Sequence, residues 1–275
     1  FEHYAEGNLT RFTAVFLSRD CEKIGSIRSA RLIDLEIPAM FKSMLVFSGA
    51  SNGVNARLRA SDIVDRVIAE QWGQWSSFQR LDIPGKASWH CLFSNTDLLW
   101  KETVRRGMNQ RQDLSGWVFS EQPPAGGEPV NNIKLVYSAG YALAQYRYDP
   151  GRGGYLRYAQ GDFTHDYSTA PTPHLDELTG QQLAPPNVVV LYARHVDSDI
   201  LEDTYGGGHW CKEIQIWGEG VARIFRDGMM YNVKWVRPSR HEMIRFLDGA
   251  GKPFPFKPGP VWIQVVPLDF QVQLW

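Results

Sequence analysis

A chain of 275 residues can form one large domain or two ordinary ones, and its 43% hydrophobic residues can build a sizeable core. The 29 basic and 30 acidic residues leave a net charge of −1, unlike the strongly basic surface typical of nucleic-acid-binding proteins. We therefore expect no nucleic-acid partner. The sequence also lacks an apolar run of the roughly 18 residues that a membrane-spanning helix needs, so we predict no such helix.

The three cysteines are sparse and show no Cys-x-x-Cys spacing, which argues against a disulfide framework and a structural zinc site. One bridge between Cys21 and Cys91 stays open, because spacing alone cannot establish its geometry. The chain begins at Phe1 rather than at a methionine. We expect either that a leader was removed or that a preceding segment is not seen.

The first half of the chain alternates strand-like and helix-like patterns. Residues 9–16 predict a buried strand, 26–31 the start of a helix, and 44–47 a second strand. A strand, a helix and a strand in this order predict a parallel unit. Apolar residues at helical spacing then predict a helix over 54–72, and a capping box at Ser94 predicts another helix that stops at Gly107.

The second half changes to short strands after a segment rich in Pro and Gly at 121–129. Turn residues such as Asp227-Gly228 separate these strands, and Asp-Gly between strand-like runs is a strong hairpin signal. The predicted strands are 133–138, 143–148, 155–158, 188–193, 214–217, 221–226, 230–236 and 261–266.

Together these patterns predict an α+β fold with two domains. The first is a mixed α/β domain at 1–122 that lacks its first strand. The second is a β-rich domain at 130–275, arranged as an antiparallel sandwich or a barrel-like sheet. The segment 121–129 is the predicted linker between them.

The segment GSIRSAR at 25–31 is the first candidate site. A helix N-terminus attracts anions, and on a helix Arg28 and Arg31 would place both guanidinium groups on one side. We predict an anion-binding site there, formed by Arg11, Arg28, Ser29, Arg31 and His90. The structural alternative is that these arginines pair with carboxylates of the same protein, such as the nearby Asp34 and Glu36.

Two other arrangements could carry chemistry. Ser29 and His90 could act as a nucleophile and its base, although no Gly-x-Ser-x-Gly motif surrounds Ser29. The long irregular stretch at 155–187 holds ligand types suited to zinc or manganese, but no His-Glu-x-x-His motif fixes two of them on one element. We therefore predict no metal and no cofactor. The candidate ligands in that stretch are His165, Asp166, His174, Asp176 and Glu177.

Several short motifs give the chain a family resemblance that extends over nearly its whole length. They are Leu9-Thr10-Arg11-Phe12, Ala14-Val15-Phe16, 24–31, Tyr146-Arg147-Tyr148-Asp149, Tyr155-Leu156-Arg157, His174-Leu175-Asp176, Thr179-Gly180, Asn187-Val188-Val189-Val190, 218–220, Phe225-Arg226-Asp227-Gly228, Lys257-Pro258-Gly259 and Trp262. In these motifs the chain resembles the YerB-like bacterial lipoproteins, a family without an established function.

The resemblance implies a lipid-anchored protein outside the cytoplasm, attached through an N-terminal anchor that precedes the residues present here. Family members usually begin with a further strand before the position of Phe1. Where the family tends to read His-Asn-Leu-Tyr, this chain has His90-Cys91-Leu92-Phe93, so only His90 carries over.

Our first hypothesis is an envelope protein that binds an anionic small molecule or a carboxylate or phosphate of a wall polymer. Arg157, His174 and Asp176 are candidate contributors from the second domain. A second hypothesis is a hydrolase or transferase for envelope glycans that uses Ser29, His90, Asp166 or Asp176. A third is a protein-interaction module that offers an edge strand to a partner.

Overall fold

The computed structural model describes residues 1–7, 9–138, 142–160 and 170–275. Most of its regular secondary structure consists of β-strands. The predicted β-rich character is confirmed. In chain order the strands are β1 (Glu2–Ala5), β2 (Leu9–Phe12), β3 (Ile24–Gly25), β4 (Leu45–Phe47), β5 (Val67–Ala69), β6 (Gln79–Arg80), β7 (Leu92–Ser94), β8 (Val118–Phe119), β9 (Glu128–Pro129), β10 (Asn132–Ser138), β11 (Ala142–Asp149), β12 (Gly154–Ala159), β13 (Thr172–Pro173), β14 (Asn187–Tyr192), β15 (Arg194–Asp203), β16 (His209–Gln215), β17 (Gly218–Arg226), β18 (Met229–Arg237), β19 (Arg245–Leu247), β20 (Pro255–Phe256), β21 (Val261–Val266) and β22 (Val272–Leu274).

The α-helices of the described residues are short and lie in the first half of the chain. They are α1 (Ile37–Phe41), α2 (Asn52–Arg59) and α3 (Thr96–Arg105), with 3-10 turns at Leu32–Leu35, Val64–Arg66, Glu70–Trp72, Trp75–Ser77, Ser88–His90 and Tyr205–Gly207. Pro38 lies in the first turn of α1, where its missing N–H leaves no helical hydrogen bond unmade. The N-cap of α3 is Asn95 and not the predicted Ser94, since Asn95 Oδ1 accepts a hydrogen bond from the backbone N of Leu98 at 2.8 Å, whereas Ser94 Oγ donates to Ser77 O. Gly107 follows the helix with a positive φ, as predicted.

Two compact units divide the chain, and both are discontinuous in sequence. Unit 1 contains 1–13, 115–196 and 214–275, whereas unit 2 contains 14–114 and 197–213. The first 13 residues thus pack with the second half of the chain. The segment 121–129, predicted as a linker, lies within unit 1.

Unit 1 is built from two main sheets with a hydrophobic core between them. The larger sheet, in the order β19-β18-β17-β14-β21-β1-β2 with β9 beside β18, contains two parallel contacts, β14–β21 and β21–β1. The smaller sheet has the order β13-β12-β11-β10-β22 and is antiparallel. Residues of both sheets share one core, which includes Ile133, Leu135, Tyr146, Val188, Val190 and Phe225. The predicted strands of the second half lie in these sheets or in the β15–β16 ribbon.

Unit 2 contains the parallel pair β4–β5, in which Leu45 lies opposite Val67. Helix α2 connects these two strands, and its residues Val54 and Leu58 are fully buried. A second, antiparallel sheet has the order β3-β7-β6. The parallel unit expected from the sequence therefore exists, but between β4 and β5.

Three predictions for the first half were wrong in detail. The strand predicted at 9–16 ends at Phe12 and pairs antiparallel with β1 in unit 1. Residues 26–30 are not helical, and Arg31 precedes a 3-10 turn with extended backbone. The helix predicted at 54–72 ends at Arg59, because the β-branched pair Val67 and Ile68 is buried in a strand instead.

No disulfide joins Cys21 and Cys91: Cys21 Sγ donates to Lys23 O and Cys91 Sγ to Ala87 O. Among the described residues, no helix combines the length and the apolar character needed to cross a membrane.

Candidate functional site

The C-terminal ends of β4 and β5 gather several polar residues of unit 2. Residues 28–30 run beside the end of β4, since Ser48 N donates to Arg28 O at 3.1 Å and Ala30 N donates to Gly49 O at 3.0 Å. Parallel strands commonly bind ligands beyond this end. We call this group the strand-end site; it consists of Arg28, Ser29, Ser48, Glu70, Arg80 and His90.

Arg28 and His90, both predicted to bind anions, are in direct contact. Nη1 of Arg28 donates a hydrogen bond to Nδ1 of His90 at 2.7 Å. Because arginine can only donate, Nδ1 is the acceptor, and the neutral imidazole carries its proton on Nε2. The contact therefore leaves the positive charge of Arg28 unneutralised.

The half-buried Arg28 guanidinium has no carboxylate within ion-pair distance among the residues that the structure describes. Its pKa is lowered by burial and by the positive charge of Arg31. Both effects mean that an anion beside Arg28 would relieve an unfavourable electrostatic environment. Arg28 thus differs from the other arginines of the prediction.

The remaining charges of the strand-end site neutralise each other. Glu70 directly follows β5 and is largely buried; its Oε1 accepts a hydrogen bond from Arg80 Nη2 at 2.6 Å and its Oε2 accepts one from Ser48 Oγ at 2.8 Å. Arg80 also donates to Ser88 O at 2.6 Å. The site accordingly carries one net positive charge, on Arg28.

Arg31 is buried and bound by its own protein. Its Nη1 donates to Ala30 O at 3.1 Å and lies 3.3 Å from Oε1 of Glu202, while its backbone N donates to Asp34 Oδ2 at 2.7 Å. These contacts correspond to the structural alternative for Arg31, in which a carboxylate of the same protein is its partner, and Glu202 is one such carboxylate.

Ser29 lies against Gly49, where a Cβ would come within 3.1 Å of the Ser29 hydroxyl oxygen. Gly49 has φ +83°, so a residue with a side chain would be strained there as well as crowded. Nδ1 of His90 accepts from Arg28, so it is not the base for Ser29 in this arrangement. Hydrolysis through Ser29 and His90 stays a hypothesis.

Arg11 belongs to unit 1 and lies opposite His3 in the β1–β2 pair, with Nη1 donating to Thr10 O at 3.2 Å. Arg28, Ser29, Arg31 and His90 belong to unit 2, so the predicted residues fall into separate units.

The second-domain candidates Arg157 and His174 meet in a buried polar cluster of unit 1. Arg157 follows the core residue Tyr155 by two positions on β12, so both side chains point into the sandwich, and Arg157 is 1% exposed. Its Nη1 donates to Nδ1 of His174, and its Nη2 donates to Oε2 of Glu2 at 2.8 Å. The guanidinium lies 4.6 Å from the ring centroid of Trp262.

Glu2 is the acceptor at the centre of this cluster. Its carboxylate also accepts hydrogen bonds from Gln264 Nε2 at 2.7 Å, Trp262 Nε1 at 3.1 Å and Thr10 Oγ1 at 3.2 Å. Burial alone would raise the pKa of Glu2, but the charge and the hydrogen bonds of Arg157 hold that pKa below its usual value. Tyr146 completes the cluster by accepting from Gln264 Nε2 at 2.5 Å. Arg157 and Glu2 are therefore bound to each other and to partners within unit 1.

Asp176 holds a turn, since its Oδ1 accepts from the backbone N and the hydroxyl of Thr179, each at 2.9 Å. His165 and Asp166, which belong to the metal and hydrolase hypotheses, lie outside the described residues.

The sequence analysis missed Glu2, Tyr146, Trp262 and Gln264 as partners of Arg157. A usable signal existed for two of them. Glu2 opens a short buried strand, and Gln264 interrupts the otherwise apolar strand VWIQVV. A polar residue at a core position needs a buried partner, although the sequence does not say which one.

Two domain models of one family match the chain. Residues 1–109 match the N-terminal domain and residues 133–263 the C-terminal domain of a family described as "Protein of unknown function (DUF3048)". The chain belongs to this family, and the predicted resemblance to YerB-like proteins is confirmed.

A curated relative from Bacillus subtilis, "Putative lipoprotein YerB", is 25% identical over 278 residues, which cover 97% of this chain and 73% of the relative. The crystal structure of the YerB protein from Bacillus subtilis superposes with a TM-score of 0.75 at 26% identity. That alignment covers 99% of this chain and 84% of the crystallised one.

Proposed function

We propose that this protein is an extracytoplasmic, lipoprotein-type envelope protein that binds an anionic ligand at the strand-end site. The lipoprotein assignment draws on the name of the YerB relative. The ligand class follows from Arg28, whose half-buried guanidinium has no carboxylate partner among the described residues. This unneutralised charge is the observation that carries the proposal.

The chemistry of the site suits a carboxylate or a phosphate. A guanidinium donates two parallel hydrogen bonds to either group, and its delocalised charge is less strongly hydrated than that of lysine. The Ser29 hydroxyl lies next to Arg28 in the chain, on the segment that runs beside the end of β4. Phosphate and carboxylate are also the anionic groups of wall polymers, which an envelope protein would meet.

The test is a titration with two probes, sn-glycerol 3-phosphate and N-acetylmuramic acid, followed by the shift in unfolding temperature. A ligand that binds only the folded protein stabilises it in proportion to its occupancy. We expect at least one probe to stabilise the wild-type protein beyond sodium chloride of equal ionic strength. Arg28→Gln should weaken that binding about tenfold, because it removes a charge-assisted hydrogen bond.

Arg105→Gln is the matched control, because Arg105 is an exposed arginine of unit 2 whose partner Glu102 keeps its second arginine, Arg106. This control should bind the probe as the wild-type protein does. Equal stabilisation of the wild-type protein and Arg28→Gln would contradict the proposed site, and so would no stabilisation by either probe.

A further inference from the structure

A groove crosses unit 1 where the larger sheet extends beyond the smaller one. The same face of β17 and β18 that enters the core at Phe225 and Met230 carries Arg223 and Asn232 two positions along each strand. These two residues lie opposite each other in the β17–β18 register. Arg223 is half-buried and Asn232 is exposed, and this part of the sheet is the floor of an open groove of about 890 Å³.

Two segments form the walls of this groove, which we call the sheet groove. One is the turn at 248–251, and the other is the stretch at 268–272 before and within β22. Three apolar side chains contribute to its lining: Val221 is 63% exposed, Leu268 is 65% exposed, and Phe270 is partly buried against the core. The volume falls in the range of ligand-binding pockets and far exceeds the space that one small anion occupies.

One cation on the floor lacks an acidic partner. Arg223 lies with Cζ 5.7 Å from the ring centroid of Tyr192 and forms no ion pair with the described residues. The neighbouring Lys234, by contrast, pairs with Glu219 at 2.8 Å. Asp248 uses its Oδ1 to accept from the backbone N of Ala250 and Lys252, each at 2.9 Å. The floor therefore presents one guanidinium for an external carboxylate.

We propose that the sheet groove binds a peptide segment in which a carboxylate lies next to an apolar side chain. The carboxylate pairs with Arg223, which is held over the Tyr192 ring and so loses little freedom on binding. The apolar neighbour covers Val221, Leu268 and Phe270, whose exposed surface favours such contact. In a peptide, the carboxylate and the apolar side chain can belong to the same residue or to adjacent residues.

The carboxylate can come from a peptide C-terminus or from an internal acidic residue, and the experiment separates these sources. Backbone amide NMR shifts of the full chain are followed during titration with three probes: acetyl-Ala-Leu-Leu as the free acid, its C-terminal amide, and acetyl-Leu-Asp-Leu amide. We expect saturable shifts at Val221, Asn232, Gly249 and Gln271 with one or both carboxylate peptides. The uncharged amide should bind about tenfold more weakly.

Two variants test the floor of the sheet groove. Arg223→Gln should weaken the carboxylate peptide about tenfold, and Val221→Asp should weaken it similarly by placing a negative charge beside the ligand. Arg245→Gln is the matched control, since Arg245 is an exposed arginine of β19 outside the groove lining, and it should bind within about twofold of wild type. An amide spectrum unchanged away from the groove verifies that each variant is folded.

Three outcomes would overturn the proposal. The first is that neither carboxylate peptide binds more tightly than the uncharged amide, and the second is unchanged affinity of the carboxylate peptide in Arg223→Gln. The third is tighter binding at the same amides by a hyaluronan tetrasaccharide, a carboxylated glycan, than by either peptide. None of these outcomes depends on the strand-end site, which lies in unit 2.

Discussion

His174 makes the stability of the buried cluster in unit 1 depend on pH. Burial and the positive charge of Arg157 lower the pKa of His174 from 6.5 to about 4. The folded protein therefore keeps this imidazole neutral under conditions in which the unfolded chain protonates it. Stability from this residue is complete above pH 6.5 and declines as the pH falls from about 6.5 to about 4, because there the unfolded state binds more protons.

Replacing His174 with Gln should remove this part of the pH dependence. Glutamine keeps an oxygen that can accept a hydrogen bond from Arg157 but cannot titrate. Between pH 7 and pH 4, wild type should lose on the order of 1–2 kcal/mol more of its free energy of unfolding than His174→Gln, after allowance for the partial exposure of the ring. Urea unfolding at several pH values measures the difference.

The control for this prediction is Leu175→Gln, at the adjacent exposed position. It should keep the wild-type pH dependence, because it leaves His174 and Arg157 in place. The ionised Glu2 also stabilises the folded protein, because its pKa in the folded state is lower than the usual 4.5. This stabilisation is lost at lower pH than that of His174, as the pH falls below about 4.5 and through the folded pKa of Glu2. Parallel curves for wild type and His174→Gln between pH 6.5 and pH 4 would contradict the assignment.

At the scale of elements, the hairpin between β17 and β18 depends on a two-residue turn. Asp227 and Gly228 have φ values of +53° and +73°, the combination that a tight hairpin turn requires. The carboxylate of Asp227 accepts hydrogen bonds from Arg226 Nε at 2.8 Å and from Lys257 Nζ at 2.6 Å. Gly228 is further restricted, because a Cβ there would lie 2.9 Å from the Tyr148 ring.

Gly228→Ala should therefore destabilise the protein more than Gly251→Ala does. Both glycines have positive φ, but a Cβ at Gly251 would meet nothing within 4 Å. We expect about 1 kcal/mol of backbone strain for Gly251→Ala and about 2–3 kcal/mol for Gly228→Ala, which adds the clash with Tyr148. Denaturant unfolding of both variants gives the comparison; equal losses would show that the turn, and not the ring contact, sets the cost.

Sequence patterns predicted several strands accurately but predicted one helix wrongly. The strands β10, β11, β14 and β21 match their predicted ranges to within one residue at each end, because alternating or continuous apolar runs have few other interpretations. The helix over 54–72 was wrong because apolar residues at 58, 64, 67, 68 and 72 fit a helical period by coincidence. The register that buries Val67 beside Leu45 is a tertiary contact.

The candidate sites also combine features that the local sequence predicted with contacts that only the folded chain determines. Arg28 and His90 were predicted together and are hydrogen-bonded. Arg31 was predicted to act with Arg28, yet it pairs with Glu202, which no spacing rule connects with it. Local sequence identifies polar residues that need partners, whereas only the folded chain decides which partners they find.

At the scale of the whole molecule, unit 1 depends on the first 13 residues. They form β1 and β2, and β1 pairs in parallel with β21 while Glu2 neutralises Arg157. A chain without residues 1–13 would leave the edge of β21 unpaired and Arg157 buried without its carboxylate. We predict that this truncated chain has a lower unfolding temperature than the full chain.

A synthetic peptide of residues 1–13 should raise that unfolding temperature when added to the truncated chain. The same peptide with Glu2→Gln should restore less, because it offers Arg157 no charge. This pair of peptides separates the contribution of the strand from that of the ion pair. Equal rescue by both peptides would mean that Glu2 adds nothing beyond its place in the sheet.

The β1–β21 pairing also determines when unit 1 can finish folding in the cell. The ribosome makes β1 first but makes its neighbour β21 only after more than 250 further residues have been added. Until then Glu2 has no access to Gln264 or Trp262, and β1 has no sheet to join. Unit 1 therefore cannot be completed before β21 has been made, and β1 stays an unpaired strand until then.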